Sequence, residues 1–336
     1  MADLTSEDFY RDYSSSLDGQ RGRLGDRVRM EAWQAAILDN RHLFLGKVVL
    51  DVGCGLGFLS LLAAKAGAAK VIGLELPGLA ELSAKVARSN TSRIEVVQGS
   101  VGEVELSVRT VDVIVSDWMG PGLVHRSLLA EVLEARDRWL APGGVMFPER
   151  TSLYLAATSP RDAEWCNSCH RCVPSGRAWW QQGVWGFDME SIGRAIGGEA
   201  RVERVRREEL VTGSCLLADL RLTSCALEDL ATSTPWALTA LQSEYIGSLV
   251  LYWEAHFPSQ EEGSTSLSTR PGVQGAQQVV LELLEPLAVC RGELVLGRLG
   301  LEPDWKEHRS RLGIRLQACF SGARGEVVEE NNFRVV

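Results

Sequence analysis

Between Gly46 and Phe147, short β-branched runs alternate with amphipathic stretches. Lys47–Val52 (KVVLDV), Ala69–Leu76 (AKVIGLEL), Ile94–Gly99 (IEVVQG) and Val111–Trp118 (VDVIVSDW) have the length and apolar content of buried strands. Leu59–Gly67 (LSLLAAKAG) and Leu128–Leu140 (LLAEVLEARDRWL) have helical spacing between them. That alternation predicts an α/β unit with a doubly wound, Rossmann-like parallel sheet. Ala141-Pro142-Gly143-Gly144 breaks the pattern, and Phe147-Pro148 reads as a hinge. Upstream, residues 1–45 form a polar lead-in in which Asp26 to Phe44 places Val28, Ala32, Trp33 and Ile37 at helical intervals.

After Pro148 the texture changes. Six strand-like runs follow, at 151–158, 215–224, 247–257, 278–289, 292–301 and 312–320, joined by turn residues. They predict an antiparallel sheet closing as a sandwich or barrel over 149–336. An insert at about 161–198 interrupts it and holds Trp165, Trp179, Trp180 and Trp185, four of the ten tryptophans, so it is expected to pack against something large and apolar. Residues 258–278 are polar and Gly/Ser-rich, and a mobile loop is expected there.

Composition narrows the function classes. With 45% hydrophobic and 24% charged residues, the 336-residue chain reads as an ordinary globular protein of two domains. A formal net charge of -9 disfavours direct nucleic-acid binding and leaves room for a basic protein partner. No apolar run reaches the ~18 residues of a spanning helix, the start lacks a secretory pattern, and the eight cysteines read as reduced thiols, so no membrane role and a cytoplasmic location are expected.

The densest chemistry lies at the end of the first strand. Gly53, Gly55 and Gly57 follow it directly, with Asp51 two residues before the first glycine and Glu75 closing the next strand. Glycines there let the backbone approach a ligand, and the following helix points its first amides at it. A G-x-G-x-G run suits S-adenosylmethionine, which has no pyrophosphate to cradle, and a carboxylate at Glu75 can accept both ribose hydroxyls.

These residues, with others along nearly the whole chain, resemble the protein arginine methyltransferases. Phe9-Tyr10-Arg11-Asp12-Tyr13 resembles that family's N-terminal helix, and Asp26-Arg27-Val28-Arg29 its cofactor-carboxylate segment. Ser116-Asp117-Trp118-Met119-Gly120 resembles the opening of its double-glutamate loop, and Trp179-Trp180 with Gly186-Phe187-Asp188-Met189 its dimerisation arm. The resemblance implies a Rossmann domain, an antiparallel β-barrel and a helical arm through which two protomers form a ring. It also implies a cofactor set of Arg29, Asp51, Gly53, Gly55, Gly57, Glu75 and Val101, and an interface set of Trp165, Trp179, Trp180, Trp185, Phe187 and Met189.

The departures fall in one pocket. Aligned by the resemblance, the two catalytic glutamates are Asp117 and Arg126, and the loop tyrosine is Pro121. The threonine-histidine-tryptophan loop falls on Val273-Gln274-Gly275, the cofactor-facing histidine on Gln20, the active-site methionine on Arg23, and a carboxylate near the adenine on Gly102. Methylation of a guanidinium needs carboxylates to hold a cation against a sulfonium. At a separation of about 4 Å and an effective dielectric of about 20, a unit-charge pair is worth roughly 4 kcal/mol, so exchanging an attraction for a repulsion at Arg126 swings the site by about twice that before screening. Arg126 is expected either to pair with Asp117 and close the pocket or to swing to solvent.

Trp165-Cys166-Asn167-Ser168-Cys169-His170-Arg171-Cys172 matches redox, haem-attachment and zinc-knuckle spacings, but its place in an insert favours ordinary thiols, and no metal is expected. The expectation is a pseudoenzyme: a prozyme-type, non-catalytic subunit with a vestigial S-adenosylmethionine pocket and no tightly bound cofactor. It would form a heterodimer or heterotetramer with an active type I arginine methyltransferase and act on arginine-rich protein substrates only indirectly. The alternatives are an active methyltransferase with a different, anionic acceptor, and a homomeric scaffold.

Overall fold

The computed structural model describes residues 16–159, 185–188, 198–230, 233–258, 266–303, 312–323 and 325–335. Five parallel strands, β1 (Val48–Val52), β2 (Lys70–Glu75), β3 (Ile94–Gln98), β4 (Val111–Val115) and β5 (Leu140–Phe147), lie in the order β3-β2-β1-β4-β5. Their order reverses between β1 and β4, and ligands of such sheets bind in the crevice at the carboxyl ends of the strands there. β1 is buried along nearly its whole length because helices cover both faces of the sheet. α1 (Leu17–Gly25) and α2 (Arg27–Leu38) lie ahead of the sheet, while α3 (Phe58–Ala66), α4 (Pro77–Asn90) and α5 (Leu129–Trp139) connect its strands.

The fifth parallel strand corrects the four read from the sequence. Ala141-Pro142-Gly143-Gly144, expected to break the pattern, lies inside β5, whose register against β4 shifts between Val111↔Leu140 and Val113↔Val145. β5 is an edge strand, where proline removes no needed ladder bond and extra residues bulge out.

The second sheet has ten strands and is nearly closed into a barrel. Its order is β8 (Cys215–Arg221), β6 (Arg150–Thr158), β10 (Glu244–His256), β12 (Gln278–Val289), β7 (Glu199–Glu203), β15 (Gly325–Val335), β14 (Leu312–Gly322), β13 (Leu294–Pro303) and β9 (Thr234–Thr239), with β11 (Ser266–Ser268) paired to β10. β8 and β9, the two ends of the order, lie against each other. β7, β9, β11 and β15 escape the sequence reading because only alternate residues face the core, and few of those are apolar. Part of the expected loop at 258–278 is thereby structured: β11 sits in it, and Gln278 donates to the Thr269 carbonyl at 2.7 Å and accepts from the Val205 amide at 2.7 Å.

The two sheets share one contiguous apolar core. Trp33 of α2 meets Phe257 edge-on at 4.7 Å, Phe257 stacks on Phe147 at 6.3 Å, and Phe147 meets Phe44 at 4.9 Å. Trp253 of β10 donates its indole N–H to the Gly120 carbonyl at 2.9 Å, so the barrel directly holds the loop after β4.

Gly297 on β13 shows how closely the barrel is filled. A Cβ there would collide with the Gln317 carbonyl and the Trp236 ring. Overpacking of this kind costs ~1–3 kcal/mol, so Gly297→Ala should lower the melting temperature by about 2–10 °C in a thermal unfolding experiment.

Candidate functional site

A cavity of about 790 Å³ opens at the switch point between β1 and β4. The glycine turn after β1 and the loop after β4 form two of its walls. Of the set that the sequence singles out, Arg29 of α2, Gly53, Gly55, Glu75 at the end of β2 and Val101 line it, while Asp51 and Gly57 do not. The volume is within the ~300–1,000 Å³ of small-molecule sites.

The glycine turn is built as the motif predicts. Gly53, Gly55 and Gly57 all have positive φ (71°, 57° and 85°), and Gly57 caps the start of α3. Asp51 is buried beneath the turn and accepts a hydrogen bond from Ser60 Oγ at 2.7 Å, while its other oxygen has no partner. Burial pushes its pKa up to about 7 against the pull of Ser60, with Glu75 and Asp117 adding to the rise. Glu75 Oε2 accepts the Gly55 amide at 2.6 Å and Oε1 the Leu76 amide at 2.9 Å. Burial raises the Glu75 pKa too, opposed by these two bonds and by Arg23. From the far side, α1 lays Gln20 over the turn, so that a Cβ on Gly55 would stand 2.7 Å from Gln20 Oε1.

The loop after β4 carries the decisive contact. Asp117 is buried and takes the Arg29 guanidinium in a fork: Nε lies 3.0 and 2.8 Å from its two oxygens, and Nη2 lies 2.6 Å from Oδ1. Nη2 also donates to the Met119 carbonyl at 3.0 Å, and the guanidinium lies 5.5 Å from the centre of the Trp253 ring. Burial alone would raise the Asp117 pKa. The charge and hydrogen bonds of Arg29, with Arg23 behind them, outweigh it and hold the carboxyl below its ordinary value. The expected pairing of Asp117 with Arg126 is therefore corrected: Asp117 faces the cation already present at Arg29, which offers a bidentate fork.

Arg126 lines the same cavity, half-buried, with a left-handed φ of 56°, and Leu123 and Gly122 just before it also have positive φ. His125 beside it is fully enclosed with both ring nitrogens unpartnered. Burial and then the Arg126 charge push its pKa down to about 4, so it stays neutral. His125 carried no neighbouring ligand set in the sequence, and its burial follows from the tight turn at Gly120–Leu123, which the sequence signals only through Pro121-Gly122. Gln274 lies in a turn beside α1 and α2, its neighbour Gly275 approaching Asp26.

Of the aromatic set, Trp185 and Phe187 are 94% and 66% exposed. Trp165, Trp179, Trp180 and Met189 lie outside the described residues, as do Cys166, Cys169, His170, Cys172 and the segment Phe9–Tyr13. Among the described residues no cluster of metal-ligating side chains is present, and no helix is long and apolar enough to cross a membrane.

Comparison with known proteins agrees with this geometry. The pattern of a methyltransferase domain matches residues 49–144, and that of the arginine methyltransferase oligomerization subdomain matches 174–320. Protein arginine N-methyltransferase 1 of Caenorhabditis elegans is 35% identical over 98% of this chain and 94% of its own length. Protein arginine N-methyltransferase 8-B of Danio rerio is 34% identical over 99% of this chain and 78% of its own. The chain belongs to the protein arginine methyltransferase family. Among solved structures, a chain of the Trypanosoma brucei PRMT1 enzyme-prozyme heterotetrameric complex with AdoHcy superposes with a TM-score of 0.87 at 31% identity, covering 97% of this chain and 100% of that one. Arabidopsis thaliana protein arginine methyltransferase 10 superposes at 0.81 with 26% identity, covering 97% and 99%. The arginine methyltransferase fold is thus present from the parallel sheet through the barrel.

Asp51 gives the site a measurable pH signature. Its folded pKa is raised above its unfolded value, so the native state holds a proton that the unfolded state releases as pH rises above about 4. Asp51 therefore makes stability fall as pH climbs from ~4 to ~7. Asp51→Asn keeps a partner for Ser60 and removes the titration, so denaturant unfolding from pH 4 to 7 should show a shallower fall in the variant.

Proposed function

We propose that this member of the arginine methyltransferase family is a non-catalytic, prozyme-type subunit that pairs with an active type I arginine methyltransferase and supports its turnover. The observation that carries the reading is the Arg29–Asp117 fork. An acceptor guanidinium needs carboxylates with uncommitted negative charge. Here the first is neutralised by an arginine of its own chain, and the place of the second is held by Arg126, another cation at the same cavity. Arg23 lines the same wall, so a guanidinium brought to the loop meets arginines at the two positions nearest it, while the remaining carboxylates of the lining, Asp26, Glu75, Glu103 and Glu131, belong to neither catalytic position.

The cofactor pocket is read in the same way. Its volume would admit S-adenosylmethionine, but the polar groups that would hold it are turned on their own chain: Arg29 on Asp117 and Met119, Glu75 on two backbone amides, and Asp51 near neutrality under Ser60. These residues do not fit a tightly bound cofactor, and the pocket is retained for its packing. What remains outward-facing is the oligomerization subdomain, with Trp185 and Phe187 presented to solvent. The likeness to the enzyme-prozyme heterotetramer supports a partner of the same family.

The purified chain should transfer no methyl group to arginine-glycine-rich protein, and adding it to an active type I arginine methyltransferase should raise that enzyme's turnover. Truncating aromatic anchors of an interface costs ~2–4 kcal/mol, so Trp185→Ala with Phe187→Ala should weaken partner binding by roughly 30- to 1,000-fold and lower activation at a fixed concentration. Dimethylarginine formed by the chain alone contradicts the reading, as does full activation by the double variant.

A further inference from the structure

Arginine is followed by glycine at Arg21-Gly22, Arg291-Gly292 and Arg324-Gly325. Arg324 lies outside the described residues, and Arg21 sits inside helix α1, where side chains three and four residues away crowd its flanks. Arg291-Gly292 forms the tip of the hairpin between β12 and β13. The Glu293 amide donates to the Cys290 carbonyl at 3.0 Å and closes a β-turn there. Gly292 has a φ of 89° and Arg291 a negative one, the pattern of a type II turn with glycine at its third position.

The tip is fixed in place. The Arg291 amide donates to Ser243 Oγ at 2.9 Å, the Gly292 amide to the Ala240 carbonyl at 2.8 Å, and the Cys290 amide to Glu293 Oε2 at 2.7 Å. Glu293, the acid nearest in sequence, takes the Ala323 amide on its other oxygen at 2.8 Å. The Arg291 guanidinium is exposed and bonds to nothing among the described residues. A Cβ on Gly292 would stand in open space. Leu241 and Tyr245, two residues to either side of Ser243, are 57% and 50% exposed and add apolar surface next to the turn.

We propose that Arg291 is a methyl-acceptor site, so that this chain is a substrate of the active arginine methyltransferase it pairs with; the proposal rests on the partner-subunit reading above. A guanidinium that enters another protein's pocket must give up no partner of its own, and the backbone beside it must let the pocket rim come close. Arg291 meets the first condition, and Gly292, lacking a Cβ, meets the second. A turn whose amides are already bonded loses little conformational entropy on docking. In the transfer, a guanidinium nitrogen attacks the methyl carbon of S-adenosylmethionine bound to the partner enzyme. The N–C bond forms, the C–S bond breaks with its electron pair left on sulfur, and the displaced proton passes to the enzyme's carboxylate. The products are S-adenosylhomocysteine and a methylated Arg291, which keeps its charge but loses donors.

The test incubates this chain with an active type I arginine methyltransferase and S-adenosylmethionine carrying a radioactive methyl group. Label should appear on this chain, and tandem mass spectrometry should place it on Arg291. Arg291→Lys should lower incorporation by about 10-fold or more, with complex formation and turnover on arginine-glycine-rich protein unchanged. Gly292→Ala, strained at this φ, should lower it by about 3-fold or more, and Arg21→Lys should leave it unaltered. A complex that forms and turns over its substrate while this chain stays unlabelled overturns the proposal and leaves the partner reading standing. Label that persists in Arg291→Lys, or that maps to another arginine, overturns it in the same way. A chain that neither binds nor activates the enzyme, or that labels itself with no enzyme present, overturns the partner reading and the proposal together.

Discussion

The ion pair between Arg29 and Asp117 is the contact on which the rest of the site depends. It joins the helix ahead of the parallel sheet to the loop after β4, and Trp253 of the barrel stands over it, so three parts of the fold meet there. Both partners are largely withdrawn from solvent, and removing either would leave a buried charge costing ~3–5 kcal/mol. The same contact cancels the charge that a methyl-acceptor would need. On the proposed reading, the stability of the loop and the loss of its catalytic charge have the same origin.

Around it the pocket satisfies itself. Glu75 is held by the glycine turn it would otherwise oppose across a ligand, and Asp51 avoids a costly buried charge by keeping its proton near neutrality. Arg126 adds positive charge next to a histidine that burial keeps neutral. A catalytic pocket normally holds polar groups poised for a ligand, at some cost in stability. Here several of them are bonded to their own chain, while Trp185 and Phe187 are exposed.

Much of the architecture was legible in the sequence because its signals are local. The glycines at 53, 55 and 57 carry the positive φ angles their spacing demanded, and the buried strands of the parallel sheet are continuous apolar runs. β5 was missed because an edge strand tolerates Pro142 and the adjoining glycines. β7, β9 and β15 were missed because their inward apolar residues are few and alternate with exposed positions. Within the site, the residues were found but not their partners. That Asp117 turns to Arg29 rather than Arg126 depends on where α2 packs, and Ser60 and Gln20 reach Asp51 and Gly55 only once the helices are placed.

The central claim is that this chain contributes surface and no catalysis to a shared assembly. The most direct measurement is the turnover of the assembled complex when only the active partner is disabled, by replacing its first catalytic glutamate with glutamine while this chain is left unaltered. Methyl transfer to arginine-glycine-rich protein should fall to the level of a protein-free control, because no second competent site remains. Turnover that persists in that complex, and disappears on Asp117→Asn in this chain, would contradict the account.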